Sequence, residues 1–111
     1  MTYKLVYLAR RAASVLREDW PRTWKSHAIF ASQFPALEAT IEWMRYCNRI
    51  DSTIPGLSAA HDGVAVAASD TLDGLNGAGF STADRALIDQ DELRVFDMLT
   101  PHFTYFCKEQ P

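Results

Sequence analysis

His27 is the residue of this chain best suited to chemistry. Trp20, Trp24, His27 and Ala31 recur at spacings of 4, 3 and 4, which is one stripe of a helix. The imidazole therefore faces with two indoles toward a core rather than toward water. Imidazole exchanges protons near neutral pH, and a positioned one contributes about 10²–10⁴-fold as general acid or base. The other reading is a core histidine bonded to a backbone carbonyl. His61 and Asp62 open a small-residue strand and point to opposite faces. His61 shares its face with Ala65 and Ala67, whose small side chains would leave room for a pocket floor; alternatively it sits at the strand mouth without a task. Asp62, before Gly63, is either a binding group or a carboxylate that satisfies turn donors. Tyr7 and Tyr46 sit mid-strand, where a phenol either packs or donates to a developing oxyanion. Trp24, one turn before His27, is a candidate pocket wall. His102 opens the last strand as a candidate substrate contact. Arg45 and Arg49 share a strand face, where they either hold an anionic substrate group or form salt bridges at a dimer edge.

Other chemistries find no support. There is no CxxC or HExxH spacing, so no zinc site is expected. Gly74, Gly77 and Gly79 lack the strand–turn–helix setting and the Lys-Ser/Thr ending of a phosphate loop. The 11 basic and 14 acidic residues give a net charge of −3 with no basic patch, which disfavours nucleic acid as a partner. No apolar run approaches the roughly 20 residues of a membrane helix, and residues 1–4 do not open a signal peptide. Cys47 and Cys107 read as free thiols of a cytoplasmic protein.

Six segments must position these side chains within one domain spanning 1–111. Residues 3–10 form a strand with apolar residues on both faces. Residues 17–33 form a helix, with acidic charge at its start, Pro21 near its N-terminus and Pro35 ending it. Strands are expected at 43–50, 61–68 and 101–108. A broken helical region covers 71–97, with cap clusters at Ser69-Asp70-Thr71 and Ser81-Thr82-Ala83-Asp84. The order βαββαβ is that of a ferredoxin-like α+β sandwich with an antiparallel sheet. Helices cover one face of such a sheet. The apolar residues on the other face, within a chain holding 6 Phe, 4 Tyr and 3 Trp, call for a second sheet. An identical chain would supply it, giving a two-fold dimer.

Six stretches carry a family resemblance. Residues 3–11, Tyr-Lys-Leu-Val-Tyr-Leu-Ala-Arg-Arg, resemble the opening strand of the EthD family of dimeric α+β barrels. Residues 17–28 resemble its first helix, in which an acidic pair precedes an aromatic, a Trp, and a His followed by a small residue. Pro55-Gly56-Leu57-Ser58, Asp62-Gly63-Val64, Asp91-Glu92 and Val95-Phe96-Asp97 resemble its later segments. Ala65-Val66-Ala67-Ala68 departs from the bulkier third strand expected there. The resemblance implies a dimeric barrel with no cofactor and a pocket between helices and sheet for a small, largely apolar molecule. Similar barrels include cofactor-free cyclases and dehydratases of aromatic polyketides, and cofactor-independent monooxygenases.

The expected activity is a lyase, dehydratase or cyclase step on a small aromatic or polyketide-like carbonyl compound. His27 and His61 would be its catalytic residues; Tyr7, Trp24, Tyr46, Asp62 and His102 would contact substrate. The alternatives are an oxygenase using an activated phenolate, and a non-catalytic protein that shelters an apolar metabolite.

Overall fold

The computed structural model describes residues 2–51, 53–77, 79–99 and 103–110, with Phe103 described by its backbone alone. Four strands, β1 (Tyr3–Ala9), β2 (Trp43–Asn48), β3 (Gly63–Ser69) and β4 (Phe103–Lys108), form one antiparallel sheet in the order β2-β3-β1-β4. β2 and β4 are its edges, so Cys47 and Cys107 lie on opposite sides, both exposed and free. Four helices connect the strands: α1 (Trp20–Ser32), α2 (Pro35–Thr40), α3 (Leu72–Leu75) and α4 (Thr82–Val95). No helix of the described residues is long and apolar enough to cross a membrane.

Local chemistry accounts for the helix starts. Glu18 and Asp19 lie in a 3-10 turn, Arg17–Asp19, that leads into α1, and Pro21 falls within the first turn, where no intrahelical donor is lost. Pro35 does not stop a helix: α1 has already ended, and the proline opens α2 from the first turn, where its fixed φ suits a helix. The hydroxyls of Thr71 and Ser81 accept from the backbone N–H groups of Gly74 and Asp84, capping α3 and α4.

Register assigns the faces. Tyr7 pairs with Ala65, which also pairs with Tyr46, so the three share a face. That face meets a core of Ala9, Trp20, Trp24, Val95 and Phe96, against which Tyr7, Tyr46 and Ala65 pack. The opposite face carries Val6, Leu8, Val64 and Val66, half-buried residues outside that core. The chain leaving β1 is tied to the end of α4: Ala12 N donates to Val95 O at 2.8 Å and Asp97 N to Arg10 O at 2.9 Å. These bonds bring Phe96 over the helix-side face of the sheet.

β3 begins at Gly63, not at residue 61. A bend spans the approach to the strand, so the alternation of strand faces does not extend back to His61. This overturns the expected grouping of His61 with Ala65 and Ala67.

Candidate functional site

α1 places His27 at its junction with α4. The residue is 8% exposed, and Nδ1 lies 2.7 Å from Asp91 Oδ2 on α4. Arg94, one turn beyond Asp91, donates through Nε to Oδ1 at 3.0 Å and through Nη2 to Oδ2 at 3.3 Å; Nη2 also reaches Ser26 Oγ at 3.0 Å. Burial works to raise the Asp91 carboxyl, but the hydrogen bonds and charges of Arg94 and His27 outweigh it and hold the group below its ordinary value. With Asp91 ionised and accepting from Nδ1–H, Nε2 becomes the nitrogen that can take or give a proton. This is the orienting arrangement of an acid–base histidine.

Phe96 joins His27 to the sheet. Its ring is near perpendicular to both His27, at a centroid distance of 5.2 Å, and Tyr7, at 5.4 Å. Burial first, then the negative charges of Glu92 and Asp97, push the Tyr7 phenol up to about 12. A phenol so placed stays neutral and can donate a hydrogen bond to a developing oxyanion. It is poorly placed to be the phenolate of an oxygenase.

Trp24 stacks on Trp20 at 4.9 Å and tilts against Tyr46 at 5.0 Å. Its six-membered ring lies directly over Gly63, where a Cβ would collide with it and stand 2.6 Å from Cys47 O. The small residues of β3 are therefore filled in at Gly63 by Trp24, and Tyr46 covers the neighbouring Ala65. The expected roomy floor is occupied by aromatic rings at Gly63 and Ala65, and Ala67 is itself buried.

The structure thus gathers Tyr7, Trp24, His27 and Tyr46 into one aromatic cluster and disperses the other candidates. Asp62 is 6% exposed, and its carboxylate accepts from Arg11 N at 2.9 Å and Arg11 Nη1 at 2.5 Å. Its backbone is also committed: N donates to Ala9 O at 2.8 Å, and O accepts from Arg49 N at 2.8 Å and Trp20 Nε1 at 3.1 Å. Asp62 fixes the first helix and the loop before β3. His61 lines a concavity of about 510 Å³ with Leu8, Val64, Cys47, Arg49 and Tyr105, reaching the sheet face away from the helices. It does not join His27. His102 lies outside the described residues. Arg45 stacks over the Trp43 ring at 5.5 Å, on that same outer face. No group of three or more acidic, His or Cys side chains among the described residues could hold a metal ion.

Asp91, Arg94 and Phe96 escaped the reading of single residues. Asp91 and Arg94 look like an ordinary solvated pair three positions apart on a helix, and only the fold brings His27 to them across 64 positions.

Comparison with solved structures bears on the fold. A dimeric protein of unknown function from Bacteroides fragilis, described as having a ferredoxin-like fold, superposes with a TM-score of 0.66 over 97% of this chain and 96% of that one, at 12% identity. This is a ferredoxin-like fold. An EthD family protein from Bacillus halodurans shares it, with a TM-score of 0.65 over 99% of this chain and all of that one (100%), at 15% identity. So does a hydroxynitrile lyase from Passiflora edulis, with a TM-score of 0.64 over 98% and 95% of the two chains, at 4% identity. No family model and no curated protein sequence matches the chain.

Proposed function

We propose that this protein is a cofactor-free enzyme, of lyase, dehydratase or cyclase type, that moves a proton on a small aromatic or polyketide-like carbonyl compound. The observation that carries this reading is the part-buried 2.7 Å contact between His27 Nδ1 and Asp91 Oδ2. A core histidine needs only a carbonyl; a carboxylate, itself clamped by Arg94, orients the ring and fixes which nitrogen carries the proton. In this reading Nε2 removes a proton from the carbon next to the carbonyl and returns it to the leaving oxygen or to another carbon. Tyr7, neutral, holds the enolate oxygen. Trp24 and Tyr46 supply flat apolar walls. Phe96, in ring contact with both His27 and Tyr7, belongs to the same cluster.

The working unit would be a homodimer in the cytoplasm. The apolar outer face of the sheet and the dimeric description of the Bacteroides neighbour support the pairing. The hydroxynitrile lyase neighbour supports proton-transfer chemistry on this fold. A carrier protein would need the aromatic walls but not the dyad, which favours the enzyme.

The test is turnover of an aromatic β-hydroxyketone, followed as dehydration, and of an aromatic cyanohydrin, followed as aldehyde release. His27→Gln should lower kcat by about 10²–10⁴-fold while the protein keeps its fold and oligomeric state. Asp91→Asn should lower it less and shift the pH profile. Undiminished turnover in folded His27→Gln refutes the assignment. Saturable binding of these compounds with no product from the unaltered protein establishes the carrier.

A further inference from the structure

The connection between β1 and α1 gathers positive charge that the proton-transfer reading does not use. Arg10, Arg11 and Arg17, three of the 11 basic residues, line one concavity of about 360 Å³ in a chain whose net charge is −3. That volume lies within the roughly 300–1,000 Å³ of small-molecule sites. Val15 and Leu16 of the same connection, with Ala59 and Ala60 of the loop before β3, supply apolar lining. No lining residue belongs to a strand, so the concavity is apart from the sheet face on which a second copy would stack. His27 is not among the lining residues either.

Asp62 is the one acid in the lining, and it is committed to Arg11, whose Nη1 lies 2.5 Å from Oδ1 and whose Nε donates to Val15 O at 3.1 Å. Arg17 pairs with Asp51, a carboxylate 80% exposed; exposed pairs of this kind yield to a better-placed anion at little cost. Arg10 has no acid at all among the described residues. Its Nε donates to Ala60 O at 3.0 Å, which fixes the guanidinium. Neither Nη atom has a protein partner there, and neither is a buried atom, so both stay in contact with solvent. Three arginines against one aspartate leave a lining charge of +2. A cleft lined by one sign of charge concentrates its counter-ion, and guanidiniums tethered at one edge offer the other to a phosphoryl group. A phosphate monoester carries about −1.5 to −2 at neutral pH, which this lining balances, whereas a carboxylate carries a single charge. We propose that this concavity binds a small phosphate monoester, its phosphoryl oxygens on Arg10 and Arg17 and its organic part against Val15 and Leu16.

Phenyl phosphate is the probe, titrated by calorimetry into the unaltered protein in a buffer free of phosphate. It should bind saturably, one molecule per chain. Phenyl sulfate has the same tetrahedral shape and one charge, and should bind about tenfold weaker. Inorganic phosphate lacks the ring and should also bind about tenfold weaker. Arg10→Gln should weaken phenyl phosphate binding by about tenfold or more. That change also removes the bond to Ala60, so Ala13→Glu is the second variant. Ala13 is exposed and lines the concavity, and a carboxylate there should abolish binding while the three arginine tethers stay in place. Circular dichroism checks that both variants are folded. His27→Gln should bind phenyl phosphate unchanged, so loss of the proton-transfer reading leaves this one standing. Absence of saturable binding overturns the proposal. So does phenyl sulfate or inorganic phosphate binding as tightly as phenyl phosphate, or undiminished binding in folded Arg10→Gln or Ala13→Glu.

Discussion

Gly63→Ala tests the claim that Trp24 is seated on the bare backbone of β3. An added Cβ would collide with the Trp24 ring and stand 2.6 Å from Cys47 O. Neither neighbour yields easily. Trp24 is 4% exposed and in ring contact with Trp20, Tyr46 and Phe96, while Cys47 O belongs to the strand that pairs with β3. Overpacking of this kind costs about 1–3 kcal/mol. For a domain near 100 residues, Tm falls by roughly 4–8 °C for each kcal/mol. Thermal unfolding by circular dichroism gives the shift. The near-ultraviolet spectrum should change as well, because the Trp20–Trp24 stack must move. Trp24→Phe removes the ring atoms the new Cβ would meet, so Gly63→Ala should cost less in that background, a coupling of about 1 kcal/mol. The Cys47 contact remains, so rescue is partial. An unchanged Tm, or full additivity of the two substitutions, would refute the packing argument and reopen the space above β3 as a pocket.

Three further outcomes follow from the same geometry. Asp62→Ala leaves the Arg11 guanidinium and amide without their acceptor and should destabilise by about 3 kcal/mol in urea unfolding, with proton-transfer activity falling only as far as the folded fraction does. The Asp91 carboxyl has its folded pKa depressed, so its stabilisation is complete above the unfolded value of about 3.9 and is lost as pH falls through the folded value; a stability–pH series should show Asp91→Asn lacking that part of the acid limb. Tyr7 has its folded pKa raised, so stability falls as pH rises from the ordinary value of 10.0 to about 12, and an ultraviolet titration should lose its phenol near 12 in Tyr7→Phe.

The strand and helix order was readable because each element announces itself locally. The Trp20–Trp24–His27 stripe marks a buried helix face, and the Thr71 and Ser81 caps mark two helix starts. Pro35 misled because a proline that cannot continue one helix is well suited to begin the next. The site was half legible for a related reason. Inward-facing residues on one element, such as Tyr7 and His27, follow from periodicity. Their partner Asp91 does not, since its spacing to Arg94 is that of any exposed helical pair. His61 was misplaced because β3 starts only at Gly63, and the bend before it ends the alternation that would have kept His61 on the face of Ala65.

The small residues of β3 link these outcomes. Gly63 and Ala65 admit Trp24 and Tyr46 on the helix side, and so close the space in which a pocket floor was expected. Val64, which points the other way, instead helps floor the concavity that holds His61 and Arg49. One strand thus gives the sheet two unlike faces. On one, rings pack tightly around an oriented imidazole. On the other lie the half-buried Val6, Leu8, Val64 and Val66, outside that core. Side chains alternate between faces, so Gly63→Ala acts on the first face through Trp24, whereas a bulkier residue at 64 acts on the second. A Val64→Phe variant should keep the near-ultraviolet signature of the Trp20–Trp24 pair that Gly63→Ala alters, which separates the two faces within a single strand; loss of that signature would overturn the assignment of faces.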